Sequence, residues 1–163
     1  MAIPGVDQPD HIQINETLRL RRYDGTADFA FTWYQDEELV YLVDGVKKLY
    51  DRETLYNMYN YLNAHGELYF IEALEDGRYV PIGDVIFSRE DMPIVIGDPV
   101  WRGKGVGRLV IRTLMDRGRR LGYDRLGVRE IYEWNTASIR CFTACGFMPA
   151  ERTDRGWRYE ARL

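Results

Sequence analysis

Two cysteines and two histidines are the whole supply of soft metal ligands in 163 residues. His11 and His65 stand apart. Cys141 and Cys145 lie four apart in a stretch with helical spacing, so neither a metal site nor an internal disulfide is expected. No stretch approaches the roughly 18 consecutive apolar residues of a membrane span, and no repeat or low-complexity segment occurs. The first residues, Met1 to Asp10, carry neither the basic nor the apolar part of a secretory signal. With so little cysteine, the chain is expected in the reducing cytoplasm. A composition of 45% hydrophobic and 29% charged residues excludes a disordered or collagen-like chain. At this length one compact domain is expected, residues 1–163 with 1–16 as an N-terminal arm.

Basic residues are scarce over 1–101, 8 against 19 acidic, and abundant over 102–140, 10 against 4, in a chain of net charge −4. A basic segment in an acidic protein points to a polyanionic ligand at one region and a cationic partner near the other. Nucleic acid is not expected, because the basic stretch is short and the remainder repels phosphate.

Periodicity organises the chain. Leu18 and Leu20 alternate with Arg19 and Arg21, a strand pattern ending at Asp24-Gly25. Thr26 is placed to cap a helix containing Phe29, Trp33 and Tyr34. A second helix is expected over Arg52 to Ala64, capped by Asp51 and ended by Gly66. Strands follow at 68–74 and 79–87, joined at Glu75-Asp76-Gly77 in a hairpin turn, and at 93–97. Val106, Leu109, Val110, Thr113, Leu114 and Leu121 then repeat at helical spacing. A strand at 126–132, a helix from Asn135 to Cys145, and strands at 147–153 and 157–163 complete the order. This is an α/β (α+β) pattern: a mixed sheet with helices packed on it.

Arg102-Gly103-Lys104-Gly105-Val106-Gly107 lies between an apolar strand and an amphipathic helix. Glycines there let several amides converge at a helix N-terminus, where the dipole favours phosphate. Neither the Walker pattern nor the dinucleotide fingerprint fits, since only Val106 separates Gly105 from Gly107. A second block, Asn135-Thr136-Ala137-Ser138-Ile139-Arg140 through Gly146-Phe147, completes a pair. Together the two blocks resemble the GNAT superfamily of acyl-CoA-dependent N-acetyltransferases. Arg102, Gly105 and Gly107 meet its Arg/Gln-x-x-Gly-x-Gly/Ala pattern, and Asn135, Ser138, Ile139, Gly146 and Phe147 meet its later block. Within that superfamily, Trp101 to Gly105 and Ile131 to Asn135 look most like the ribosomal-protein N-terminal acetyltransferase type. Val95-Ile96-Gly97-Asp98 and Ser138-Ile139-Arg140 are also similar to the aminoglycoside 6-prime acetyltransferases, although Pro93 stands where those commonly carry aspartate.

The resemblance implies a GNAT-like, mostly antiparallel seven-stranded sheet with about four helices and splayed central strands. It also implies acetyl-CoA as co-substrate, with its pyrophosphate on the amides of Gly103, Lys104, Gly105, Val106 and Gly107 and positive charge from Arg102 and Lys104. Backbone groups near Ile96, Gly97 and Asp98 would hold the pantetheine and polarise the thioester carbonyl. Asn135 and Ser138 would bond the pantetheine arm, and Arg140 a phosphate; Asn135 has a helix cap as its other reading. Phe142 takes the place of the tyrosine that most relatives use to protonate the departing thiolate, and Tyr132 is the available substitute.

An alkyl amine is protonated at pH 7, so amine acetylation needs a proton acceptor. Asp91, Glu130 and Asp84 are the candidates. The first stands at the offset that histone-type members use, the second where aminoglycoside enzymes have an aspartate, and Asp84 interrupts the apolar run Pro81 to Phe87. Tyrosines 50, 56, 59, 61 and 69 could line a cation-accepting pocket. The expected activity is direct acetyl transfer to a primary amine of a small molecule or peptide, by a monomer or homodimer, without a covalent relay through either cysteine. A non-catalytic acyl-CoA sensor is the alternative from another class.

Overall fold

The N-terminal arm is not all arm. In the computed structural model, which describes residues 2–163, His11–Gln13 forms β1, antiparallel to β2 (Leu18–Arg22). Leu18 and Leu20 are buried, as their alternation requires. β2 pairs with β3 (Glu67–Glu75), which is buried on both faces from Glu67 to Ala73. Arg19 and Arg21 both reach Glu72 across that pair, at 2.8 and 2.9 Å, so the nearly buried carboxylate is doubly matched. The hairpin expected at Glu75-Asp76-Gly77 is present, and its turn is two residues: Glu75 ends β3, and Asp76 and Gly77, with φ values of 49° and 77°, lead into β4 (Arg78–Phe87). β5 (Ile94–Ile96) closes a five-stranded sheet in the order β1-β2-β3-β4-β5.

The segment before β3 corrects the sequence reading. Thr26 caps nothing, because Asp24 Oδ1 captures both its amide and its hydroxyl at 2.9 and 2.6 Å. Two short 3-10 turns follow, Asp28–Ala30 and Trp33–Gln35, in place of the expected helix. The first α-helix is α1 (Glu37–Asp44), with Asp36 Oδ1 accepting from the amides of Glu38 and Leu39 and Gly45 closing it at φ 74°. α2 (Arg52–His65) starts under Asp51, which accepts from Thr54 at 2.7 Å, as expected. These elements and β3 enclose a largely aromatic core of Tyr23, Trp33, Tyr34, Tyr50, Tyr59 and Phe70 with smaller aliphatics.

Contacts divide the chain into two units, the residues up to Ile86 with Ile94–Arg102, and Phe87–Pro93 with Gly103–Leu163. In the second, α3 (Val106–Arg120) buries Val106, Val110, Ile111, Leu114, Met115 and Gly118, a face turned from the one expected and leaving Leu109 exposed. Gly118 sits inside this helix because an added Cβ would meet Leu163 at 2.8 Å and Leu126 at 3.4 Å. β6 (Arg125–Tyr132) pairs with β8 (Gly156–Arg162), and β8 with β7 (Met148–Arg152), all antiparallel. α4 (Thr136–Ala144) precedes β7. Among the described residues the strands number eight, in sheets of five and three, against the single seven-stranded sheet expected. The added strand is β1, and β5 and β6 belong to different sheets. No described helix is long and apolar enough to cross a membrane.

Gly83 marks a tight crossing in the first unit, where a Cβ would fall on the carbonyl of Val95 in β5. Backbone cannot yield as a flexible side chain can. Gly83→Ala is expected to cost about 1–3 kcal/mol, as overpacking does, measured by urea unfolding; an unchanged midpoint would show that β5 shifts freely.

Candidate active site

Asp84 is the one carboxylate that β4 carries into an apolar run, and it is buried. Tyr34, from the second 3-10 turn, donates its hydroxyl to Asp84 Oδ2 at 2.9 Å, and Tyr59 of α2 donates to the same oxygen at 2.8 Å. Both bonds fall on Oδ2, and Oδ1 has no protein partner among the described residues. Burial pushes the carboxyl up to about 6, while the two phenols pull the other way. Burial and the neighbouring carboxylate drive both phenols above their ordinary value, so they act as donors and stay protonated. A carboxylate that ionises just below neutrality, with one oxygen uncommitted, is suited to accept a proton at physiological pH.

β5 is the last strand of its sheet. Gly97 and Asp98 both donate their amides to Ile82, at 2.8 and 3.0 Å. Gly83 pairs with Ile96 in this register, so the alternation of an antiparallel ladder turns the amide and carbonyl of Ile96 toward the unpaired edge. Arg102 takes that carbonyl through Nε at 3.0 Å, reaches Gly97 O at 3.2 Å, and pairs with Asp36 at 3.5 Å. It therefore clasps the end of β5 to the start of α1. The Asp98 side chain accepts from Val100 at 3.0 Å and begins a short 3-10 turn. Gly97 is required by packing, because a Cβ there would enter the indole of Trp33. Of the amides singled out here from sequence, the one at Ile96 is free to meet a ligand on the edge, and those at 97 and 98 are spent.

In the second unit, Gly103 and Gly105 adopt φ of 69° and 82°, and space is open where a Cβ would stand. Gly105 is the N-cap of α3 with no side chain bonded to the first turn, so the leading amides lack both intrahelical and side-chain acceptors. Lys104 is exposed, Val106 is buried as the anchor of the turn, and Gly107 is half-buried. Asn135 caps α4, its Oδ1 accepting from Ser138 at 3.2 Å, which leaves its amide nitrogen for another partner. Arg140 is exposed and Ser138 half-buried. Phe142 points into the core against Phe147, ring centroids 5.1 Å apart.

The other carboxylates and Tyr132 also lie in this unit, with local partners. Asp91 accepts from the amide of Arg129 at 3.0 Å, beside the bulge between Val128 and Ile131 in β6. Burial raises its carboxyl and that amide lowers it. Glu130 accepts from Arg155 N at 3.3 Å. Tyr132 stacks on Trp134 at 4.8 Å, and Arg155 lies over its ring at 4.7 Å and donates to its hydroxyl at 3.1 Å. Glu130 and Tyr132 are thus gathered by Arg155 within the second unit, whereas Asp84 belongs to the first. Sequence reasoning put Tyr59 among the tyrosines of a cation-accepting pocket but connected neither it nor Tyr34 to Asp84; the signal for that link was an aspartate in an apolar run, which must find donors somewhere.

The sequence profile of the acetyltransferase (GNAT) family matches residues 27–147. The chain belongs to that family. Solved structures agree with the fold over nearly the whole length. A domain from Methanocaldococcus jannaschii superposes with a TM-score of 0.78 at 19% identity, covering 91% of this chain and 100% of its own. A GNAT-family acetyltransferase from Bacillus anthracis gives 0.72 at 15%, covering 92% and 94%. The aminoglycoside acetyltransferase AAC(6')-Ib, solved with paromomycin and acetyl-CoA, gives 0.71 at 14%, covering 90% and 94%. Among curated proteins, none matches this sequence significantly. The GNAT match spans both the tyrosine-bound Asp84 and the glycine turn before α3.

Proposed function

We propose that this GNAT protein transfers an acetyl group from acetyl-CoA directly to a primary amine of a cationic small molecule or peptide, with Asp84 as the proton acceptor. The observation that carries the reading is a buried carboxylate with no cation beside it and one oxygen uncommitted. A side chain placed only for stability would be paired or replaced by a neutral one. An ammonium group brought to Oδ1 supplies the missing charge and then the proton.

Acetyl-CoA supplies the activated acyl group. The fit of this chain rests on the open space at Gly103 and Gly105 and on the uncapped first turn of α3, which suit a pyrophosphate. Lys104 adds charge, and the side-chain nitrogen of Asn135 remains to bond the pantetheine. Solved relatives that hold coenzyme A support this assignment. The acidic first 101 residues favour an acceptor carrying further positive charge, and aminoglycosides enter as one such class because AAC(6')-Ib is solved with them. Free-thiol release from acetyl-CoA should appear with at least one member of a panel of polyamines, aminoglycosides, amino acids and peptides. Acetyl-CoA binding without thiol release from any of them would assign a sensor instead. Turnover restricted to anionic acceptors would overturn the charge argument.

A further inference from the structure

We infer that Tyr34 and Tyr59 are positioning residues for proton transfer: by donating both hydroxyls to Oδ2 they hold the Asp84 carboxylate so that Oδ1 alone meets the acceptor ammonium. This rests on the proposed role of Asp84 and specifies how it is achieved.

The two donors come from different elements, 50 and 25 residues from Asp84 in sequence, yet converge on one oxygen. Packing locks each ring. Tyr34 stacks on Tyr50 at 4.8 Å, and Tyr50 is tied in turn by its own hydroxyl to Asp44 at 2.7 Å. Tyr59 meets Tyr34 edge-on at 6.3 Å and 88°, and packs edge-on against Phe70 at 5.3 Å. Neither hydroxyl can swing away without breaking an aromatic contact. A carboxylate held this way cannot rotate to exchange its oxygens.

The ionisable groups acting on Asp84 are these two phenols, from the 3-10 turn and from α2. β5 places Val95 opposite it, and Tyr50 stacks on Tyr34. No lysine or arginine takes part. Two neutral donors therefore do what an arginine would do elsewhere: they favour the ionised form without neutralising it, which keeps the charge available to a substrate cation. In the step itself the ammonium N–H bond breaks as Oδ1–H forms, and the amine keeps the electron pair with which it attacks the acyl carbon. Oδ2 retains both phenol bonds throughout. The proton on Oδ1 is released to water, and the second proton that the nitrogen sheds as the amide forms passes to the departing thiolate, so the step yields amide, free thiol and one proton with the carboxylate restored.

The test is the pH–rate profile of Tyr34→Phe, Tyr59→Phe and the double variant, using an acceptor found by thiol release, with Asp84→Asn in parallel. Each lost hydroxyl removes a bond that favours the carboxylate. The acid limb of kcat should therefore move to higher pH by about half to one unit per tyrosine, and kcat at pH 6 should fall several-fold with KM for acetyl-CoA unchanged. Carboxyl 13C NMR of aspartate-labelled protein should show the same rise in the Asp84 midpoint without turnover. Lower rates with an unmoved limb and an unmoved midpoint would reduce the tyrosines to packing and overturn the inference. Wild-type rates in Asp84→Asn would overturn the underlying reading of Asp84 instead. If the double variant does not fold, the single variants decide.

Discussion

Asp84→Asn is expected to stabilise the protein at pH 8 while nearly abolishing transfer. Burial holds the carboxyl at about 6 in the folded chain against an ordinary value of 3.8. A group whose folded value is raised favours the fold fully below its unfolded value, and that contribution is lost as pH rises through the folded one. At pH 8 the ionised Asp84 therefore costs stability, on the order of 3 kcal/mol at about 1.4 kcal/mol per unit. Asparagine keeps an oxygen for both phenols and removes the charge, but its amide nitrogen is left to find an acceptor and offsets part of the gain. A net increase of about 1–3 kcal/mol in urea unfolding at pH 8 should shrink toward zero or change sign near pH 4. Loss of the proton acceptor should lower kcat/KM by about 100- to 10,000-fold. A variant both more stable and inactive marks strain kept for function. A destabilised variant at pH 8 would mean that Asp84 is a structural anchor.

Replacing Gly105 with valine should abolish measurable acetyl-CoA binding, a fall in affinity of at least about 100-fold, and leave cooperative unfolding in place. The backbone there has φ 82°, a conformation that costs a residue with a Cβ about 1–2 kcal/mol, and a β-branched side chain more. The space around the position is open, so the fold loses that strain energy and little else. In the proposed binding mode the side chain would stand in the path of the phosphate toward the first amides of α3. Calorimetry with acetyl-CoA at two salt concentrations is the measurement, because a pyrophosphate held by amides and Lys104 should bind more weakly as salt rises. Wild-type affinity in the variant would remove the turn from the binding site.

Local features of this protein were legible in its sequence. The cap at Asp51, the hairpin at Asp76-Gly77, the glycine turn before α3 and the cap at Asn135 each depend on residues within a few positions of one another. The family followed from two such blocks, and its profile match confirms it. The reading failed where local signals competed. Asp24 outbid Thr26 for the same turn, and Asp36, unnoticed in a run of acids, capped α1.

Three carboxylates looked alike in sequence and differ in space. Asp91 and Glu130 settle on backbone amides of β6 and of Arg155, whereas Asp84 receives two phenols from elements far along the chain. That difference depends on side chains brought together by packing, and no spacing rule reports it. Short-range geometry, which propensity and φ restrict residue by residue, was determined by the sequence alone. Which carboxylate would be dry, which oxygen would stay uncommitted, and which amide of β5 would face the open edge were decided only by tertiary structure, because burial and hydrogen-bond partnership belong to pairs of residues that the chain holds tens of positions apart.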